Sequence, residues 1–370
     1  MHIQYFKGEF KYYVYIKTLG LSDSFLERGL HVLMHCGLLC LTLPEQQCFP
    51  ISQSENDMLL ELSDGDALVN LSDGNLRVLF QSTSSDNAII VTEKCNSNCI
   101  MCPVPESMRR YTDDIDVQDL IEQTRYIPVD VDHITITGGE PFIAGKKLFK
   151  ILKELKEFHN ETDYLLLTNG RAFADTAYAR EFEMAQPSRM IVGIPIHGAD
   201  AKTHDWITQS PGSFEQTILG IRHLLCLGCS VEIRFVISKL NMNSITQMAR
   251  FVASELKGIV GVKFMGLEMT GNAACNTDQV WLPYQDAFEA SRLGIDLLLM
   301  QGVDVELYNF PLCMVDKRYW FLCRKSITGF KVRYYDDCTA CCVKDACGGI
   351  FLGTKRLVNK VMPIMENRCV

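Results

Sequence analysis

Six short β-branched runs recur through the middle of the chain, at 88–91, 133–137, 164–167, 190–196, 231–237 and 260–265. Between them lie segments with helical spacing of apolar residues, among them DDIDVQDLIEQTR, GKKLFKILKELKEF, SFEQTILGIRHLL and SITQMARFVASEL. Strands that alternate with helices pair in parallel, because each crossover returns the chain over the sheet in the right-handed sense. Six units are too few to close an eight-stranded barrel. The pattern predicts an α/β fold built on an open, partial (β/α)6 barrel, with chemistry at the C-terminal ends of its strands.

The flanks read differently. ELSDGDALVNLSDGNLRVLF alternates apolar and polar residues around Asp-Gly turns, which predicts a small β-rich N-terminal domain over 1–84. QSTSSDN is a polar joint before the barrel region, 85–300. The barrel ends on a helix, YQDAFEASRLGIDLLLMQG, and a strand-like VDVELYN; a cysteine-rich tail occupies 301–370. The N-terminal extension either docks a peptide by strand addition or covers the barrel.

Sixteen cysteines ask where the chain works. Its first residues, MHIQYFKGEFKYY, lack the apolar core of a signal peptide. The apolar run 29–43 is broken by His31 and His35 and is too short to span a bilayer. The expectation is a cytoplasmic protein without membrane association, whose reduced thiols favour metal ligation over disulfides. A net charge of −9 leaves no basic footprint for nucleic acid.

Cys95, Cys99 and Cys102 lie in EKCNSNCIMCP, directly after the first barrel strand. Three thiolates are one short of a closed zinc site. They suffice for three irons of a cubane 4Fe–4S cluster, whose fourth iron then stays open to a small molecule. At the end of the second strand, TGGEP supplies two glycines that let backbone approach a ligand closely.

This C-x3-C-x2-C loop, in this place, resembles the radical S-adenosylmethionine (SAM) superfamily. Met101 stands where that family usually has an aromatic residue. The resemblance implies that SAM chelates the open iron through its amino and carboxylate groups, and that Gly138, Gly139 and Glu140 place the amino group. It also implies an external electron donor, whose electron splits the sulfonium into methionine and a 5′-deoxyadenosyl radical. Further strand ends carry weaker family echoes. Asn169 closes LLLTNG, His197 in VGIPIHGAD is a candidate for the ribose, and the backbone at Met265 and Gly266 would face adenine. Arg234 on the fifth strand is a candidate partner for a carboxylate, with a plain ion pair to a nearby acid as the alternative.

In the tail, Cys338-x2-Cys341-x5-Cys347, with Cys313, offers four ligands. They suit a structural zinc or a second, fully ligated 4Fe–4S cluster; the redox setting favours iron. The run resembles the auxiliary-cluster domains of peptide-modifying radical enzymes. Phe351 stands where a longer version would carry another thiol, which implies one auxiliary cluster. Cys323 and Cys342 read as spectators, Cys226 and Cys229 as core thiols, and Cys369 as isolated. Longer stretches, including THDWITQSPGSFEQTILGIRHL, FMGLEMTGNAACN and RKSITGFKVRYYDDC, resemble the C-type radical SAM maturases of His-Xaa-Ser systems. CPVPE departs from the Cys-Ser-Gln-Pro-Pro expected there. That resemblance implies maturation of a ribosomally made precursor peptide with His-Xaa-Ser repeats, alongside a second radical SAM maturase and a small helper protein. A radical SAM reaction on a small metabolite, or a cluster-binding scaffold for a partner maturase, are the alternatives.

Overall fold

The computed structural model describes the chain except for Tyr5, Leu19, Leu38 and residues 72–74, 112–115 and 366–370. The turn expected at Asp73-Gly74 and the isolated Cys369 lie outside the described residues.

The N-terminal region is a mixed sheet of β1 (Tyr12–Ile16), β2 (Val32–Cys36), β3 (Leu39–Leu43), β4 (Gln47–Pro50), β5 (Ala67–Asn70) and β6 (Leu76–Phe80), in the order β4-β3-β2-β1-β5-β6. β1 and β2 are parallel across the short helix Ser22–Glu27; the other pairs are antiparallel. β1 is buried along its length because both faces of the sheet are covered. Tyr13, Tyr15 and Leu33 pack with Leu59 of the helix Gln53–Leu60. That helix starts with a reciprocal cap between Ser52 and Glu55, which satisfies two orphan amides. On the opposite face, Tyr12, Val14 and Val32 join one apolar core with Leu120 and Tyr126 of the barrel. The Tyr12 hydroxyl donates to Asp119 at 2.7 Å, and Lys11 pairs with the same carboxylate. This sheet therefore covers a flank of the barrel.

The second sheet contains β7 (Asn87–Ile90), β8 (His133–Thr137), β9 (Asp163–Leu167), β10 (Met190–Pro195), β11 (Ser230–Val236), β12 (Gly261–Met265), β13 (Val305–Tyr308) and β14 (Cys323–Arg324). They lie side by side in chain order, and every pair is parallel. The six expected strands fall within one residue of their predicted ends. β13 follows from VDVELYN, and the short β14 is an addition that extends the arc. β7 and β14 are its edges, so the barrel is open.

Side chains alternate across each strand. Ile134 and Ile136, Val231, Ile233 and Phe235, and Val262 and Phe264 are buried in the core shared with the surrounding helices. The intervening residues, such as Thr135, Thr137, Leu165 and Leu167, are only half-buried. They lie on the opposite face of the sheet from that core, which accounts for the alternation in strands of a parallel sheet.

Several helices escaped the periodicity, among them Thr176–Ala185 and Ala201–Thr208, whose N-termini are capped by Asp175 and Asp200. One cysteine expectation needs correction. Cys229 is buried and accepts from Gln186, but Cys226 is exposed at the C-terminal end of the helix Ser213–Cys226. The tail adds a small antiparallel pair, β15 (Val332–Arg333) and β16 (Ile350–Phe351), among short 3-10 turns. Among the described residues no helix is long and apolar enough to cross a membrane.

Candidate functional site

The cysteine loop leaves β7 and is clamped by backbone from two directions. Asn98 and Ile100 donate to the carbonyls of Thr208 and Ile207, at 3.0 and 2.9 Å. Opposite, Gly139 donates to Thr92 at 2.7 Å and Glu140 to Lys94 at 2.8 Å. A Cβ on Gly138 would lie 2.2 Å from the Thr92 carbonyl oxygen, and one on Gly139 2.4 Å from that of Glu93. The glycines of TGGEP are thus required by the chain's own loop, a closer constraint than the ligand contact expected from sequence. Among the described residues no hydrogen bond reaches the carbonyls of Gly138 or Gly139, and both residues stay half-buried at the barrel rim.

Glu140 points inward. Its carboxylate is buried and accepts from Phe142 N at 3.0 Å, Thr168 Oγ1 at 2.7 Å and Asn169 N at 2.7 Å. Burial pushes this carboxyl up, while those three donors pull the other way. The side chain therefore locks the second strand end to the third. Asn169 continues outward: its Nδ2 donates to Asn96 Oδ1 at 2.7 Å, on the cysteine loop.

Two arginines that carried no sequence signal brace the same loop. Arg171 donates to the Asn96 carbonyl at 2.9 Å. Arg109, buried, donates to the Ser97 carbonyl at 2.8 Å and to Asn98 Oδ1 at 2.6 Å. Arg171 stands two residues past Asn169, so its place at a strand end was the one available clue. Burial, then Cys102 and Cys95, push the Cys99 thiol up to about 12, with Arg109 opposing. Cys95 is raised in the same direction, first by burial.

The remaining expected residues are scattered around the rim and interior. His197 is buried just beyond β10, and its Nδ1 has no hydrogen-bond partner. Burial and the adjacent His204 drop it to about 3, so the ring is neutral. Arg234 projects from the inner face of β11. Its guanidinium lies over the Tyr308 ring at 5.6 Å, and its Nε is 3.6 Å from Glu232, an ion pair without a hydrogen bond. Gly266 has both backbone groups in use, its N–H on Tyr308 O and its carbonyl on Asn309 Nδ2. The Met265 carbonyl accepts from Ile237 N. The polar backbone expected to face a base there is engaged within the fold.

In the tail, Cys313, Cys338, Cys341 and Cys347 line a single cavity closed by apolar residues including Leu312, Ile350 and Val361. Cys323 lies outside that lining, as does Cys342. Backbone amides point at the sulfurs: Leu312 and Gly349 donate to Cys347 Sγ, and Ile364 to Cys341 Sγ, each at 3.4 Å. Burial raises the Cys313 and Cys347 thiols.

Residues 89–252 match the family model described as the radical SAM superfamily. They run from β7 through β11 and contain the whole cysteine loop. This stretch is a radical SAM domain. The chain is 29% identical over 184 residues to a GTP 3′,8-cyclase of Peptoclostridium acidaminophilum, covering 48% of this chain and 54% of that protein. It is 28% identical over 194 residues to an AdoMet-dependent heme synthase of Nitratidesulfovibrio vulgaris, covering 51% and 50%. The chain thus spans about half the length of the curated relatives it matches. Among solved structures, Streptococcus suis SuiB bound to its precursor peptide SuiA superposes with a TM-score of 0.50 at 13% identity, covering 61% of this chain and 49% of that one. That likeness is one of fold.

A radical SAM domain implies a 4Fe–4S cluster and SAM, and the residues here fit both. Three cysteines share one loop braced by a buried arginine, and at the adjoining turn the carbonyls of Gly138 and Gly139 accept no hydrogen bond from the described residues. Among the described residues, no three His, Cys, Asp or Glu side chains converge as ligands of one metal ion.

Proposed function

We propose that the protein is a cytoplasmic radical SAM enzyme that modifies a ribosomally made peptide carrying His-Xaa-Ser repeats. The observation that carries the peptide reading is the tail, where the spaced trio Cys338, Cys341 and Cys347 and the upstream Cys313 line one cavity beside a radical SAM domain. A cavity edged by several separate thiols, with amides donating to sulfur, suits an auxiliary 4Fe–4S cluster better than a zinc ion.

In this reading Cys95, Cys99 and Cys102 hold the catalytic cluster, and Cys313, Cys338, Cys341 and Cys347 hold the auxiliary one. When bound, the catalytic cluster supplies the electron that splits SAM to methionine and a 5′-deoxyadenosyl radical. The carbonyls of Gly138 and Gly139 accept from the SAM ammonium. Glu140 acts one step back, by fixing that turn against Asn169. Neutral His197 meets the ribose, Arg234 meets a carboxylate, and the turn at Gly266 packs against the adenine. The three regions 1–84, 85–300 and 301–370 then serve as cover, catalytic barrel and auxiliary site. An external donor supplies electrons, and a second maturase and a helper protein are the expected partners.

One observation favours a second reading. The curated relatives named above are a GTP cyclase and a heme synthase, whose names point to small-molecule chemistry. Deuterium labelling separates the two. Anaerobic, reduced enzyme with a deuterated precursor peptide should yield deuterated 5′-deoxyadenosine and a peptide of altered mass. Unlabelled 5′-deoxyadenosine and an unchanged peptide would favour a metabolite. Peptide modified equally well by a Cys99→Ala variant would assign the protein a scaffolding role.

A further inference from the structure

The segment that follows β12, LEMTGNAACN, has no assigned role, yet it touches the cysteine loop more extensively than any other element described above. Asn272 Nδ2 donates to the Cys99 carbonyl and to Asn98 Oδ1, both at 3.0 Å, while its Oδ1 accepts from Glu106 N at 3.1 Å. One turn later Asn276 Nδ2 donates to the Ile100 carbonyl at 3.1 Å. Ala273 N donates to the Cys102 carbonyl at 3.2 Å, and Thr270 Oγ1 to that of Pro103 at 3.1 Å. The carbonyls of Cys99, Ile100, Cys102 and Pro103 are therefore all held by one short stretch. Its approach is so close that Gly271, at φ +54°, leaves 2.4 Å between a hypothetical Cβ and the Pro103 oxygen.

The other side of this stretch is fastened to the tail. Thr354 is fully buried, and its hydroxyl donates to the Leu267 carbonyl and accepts from Met269 N, both at 3.2 Å. Thr354 lies three residues after β16, seven past Cys347. Lys331, one residue before β15, pairs with Glu268 at 3.2 Å. A continuous hydrogen-bonded path thus runs from the auxiliary-site tail, through 267–276, to the loop of Cys95, Cys99 and Cys102.

We infer that Asn272 and Thr354 are positioning residues, through which the tail holds the catalytic cysteine loop in its cluster-binding geometry. The inference rests on the reading of that loop as a cluster site. Groups that orient ligands from behind commonly matter by ten- to a hundredfold in metal affinity or activity. Asn272 supplies two N–H donors to the loop, one to the Cys99 carbonyl and one to Asn98 Oδ1, so its amide cannot be replaced by a carboxylate.

The test uses the full chain and two near-isosteric variants, Asn272→Asp and Thr354→Val, with Thr354→Ser as the conservative control. Hydrogen exchange of the apoprotein reads the loop directly, without cluster or turnover. Amides at 98–102 should exchange about tenfold faster or more in Asn272→Asp and in Thr354→Val, and at the wild-type rate in Thr354→Ser. In reconstituted protein, a chelator should strip the catalytic cluster about tenfold faster or more from the first two variants. The auxiliary cluster, isolated by replacing Cys95, Cys99 and Cys102 with Ala, should be lost at the wild-type rate. Unchanged loop exchange and unchanged chelation in both variants would overturn the inference, as would selective loss of the auxiliary cluster. Faster exchange in a protein that assembles no cluster on this loop would keep the brace and sink the functional reading instead.

Discussion

Replacing Glu140 by Gln tests whether this residue serves the fold or the cosubstrate. Its Oε1 accepts from Phe142 N and Thr168 Oγ1, and its Oε2 from Asn169 N. Glutamine keeps the shape but has one acceptor oxygen. With that oxygen in the Oε1 position, two bonds survive without charge assistance, and the new amide faces the Asn169 N–H donor to donor. A buried donor left unpaired costs about 1–3 kcal/mol. Weakening the two surviving bonds adds roughly 1 kcal/mol. Relief of a buried charge offsets part of this, since burial already pushes the carboxyl up. The expected net loss is about 2 kcal/mol. In urea unfolding of apoprotein at pH 7, a slope near 3 kcal/mol/M converts it to a midpoint lower by roughly 0.7 M. SAM affinity should change by less than about tenfold, or 1.4 kcal/mol. An unchanged midpoint with a SAM affinity weakened far beyond tenfold would refute the assignment, because the carboxylate would then be acting on the cosubstrate.

Three further perturbations follow from the same geometry. Asp205 accepts from Gly212 N, Ser213 Oγ and Phe214 N; burial opposes ionisation, yet these bonds hold its carboxyl below the usual range. Asp205→Asn should cost about 1–3 kcal/mol at neutral pH, and the gap to wild type should persist down to about pH 4, then close as the pH falls through the lowered folded value; a gap independent of pH counts against it. Arg109→Gln removes a buried cation beside the cysteine loop. At an effective dielectric of about 20, a charge roughly 8 Å away is worth about 2 kcal/mol. The catalytic cluster should therefore become harder to reduce by about 90 mV in anaerobic titration; a potential that stays or rises contradicts this. Cys341→Ala should lower iron from about eight to about four per chain, while Cys323→Ala leaves it unchanged; equal losses would mean that the cavity lining misidentifies the ligands.

The strands were legible as short β-branched runs recurring between helical segments, a signal that survives without tertiary context. The helix Ala201–Thr208 was not: AKTHDWIT has little apolar periodicity, and its position depends on Asp200 and on carbonyls given to the cysteine loop. The runs Cys95-x3-Cys99-x2-Cys102 and Cys338-x2-Cys341-x5-Cys347 were visible by spacing, whereas Cys313, far upstream, joins the tail cavity only in the fold. Arg109 and Arg171 were not visible, because a lone arginine has no periodicity and its partner appears only after folding. TGGEP was visible, but not that its glycines answer to Thr92 and Glu93. Cys226 and Cys229 looked alike in sequence, and one step past a helix end separates solvent from core.

The most direct measurement is SAM cleavage by anaerobically reconstituted, reduced protein, followed by electron paramagnetic resonance and by product analysis. Wild-type protein should show a reduced 4Fe–4S signal that shifts on adding SAM, and should release 5′-deoxyadenosine and methionine in equal amounts; Cys99→Ala should release none. A fully loaded cluster whose signal ignores SAM and which yields no 5′-deoxyadenosine would contradict the account at its root.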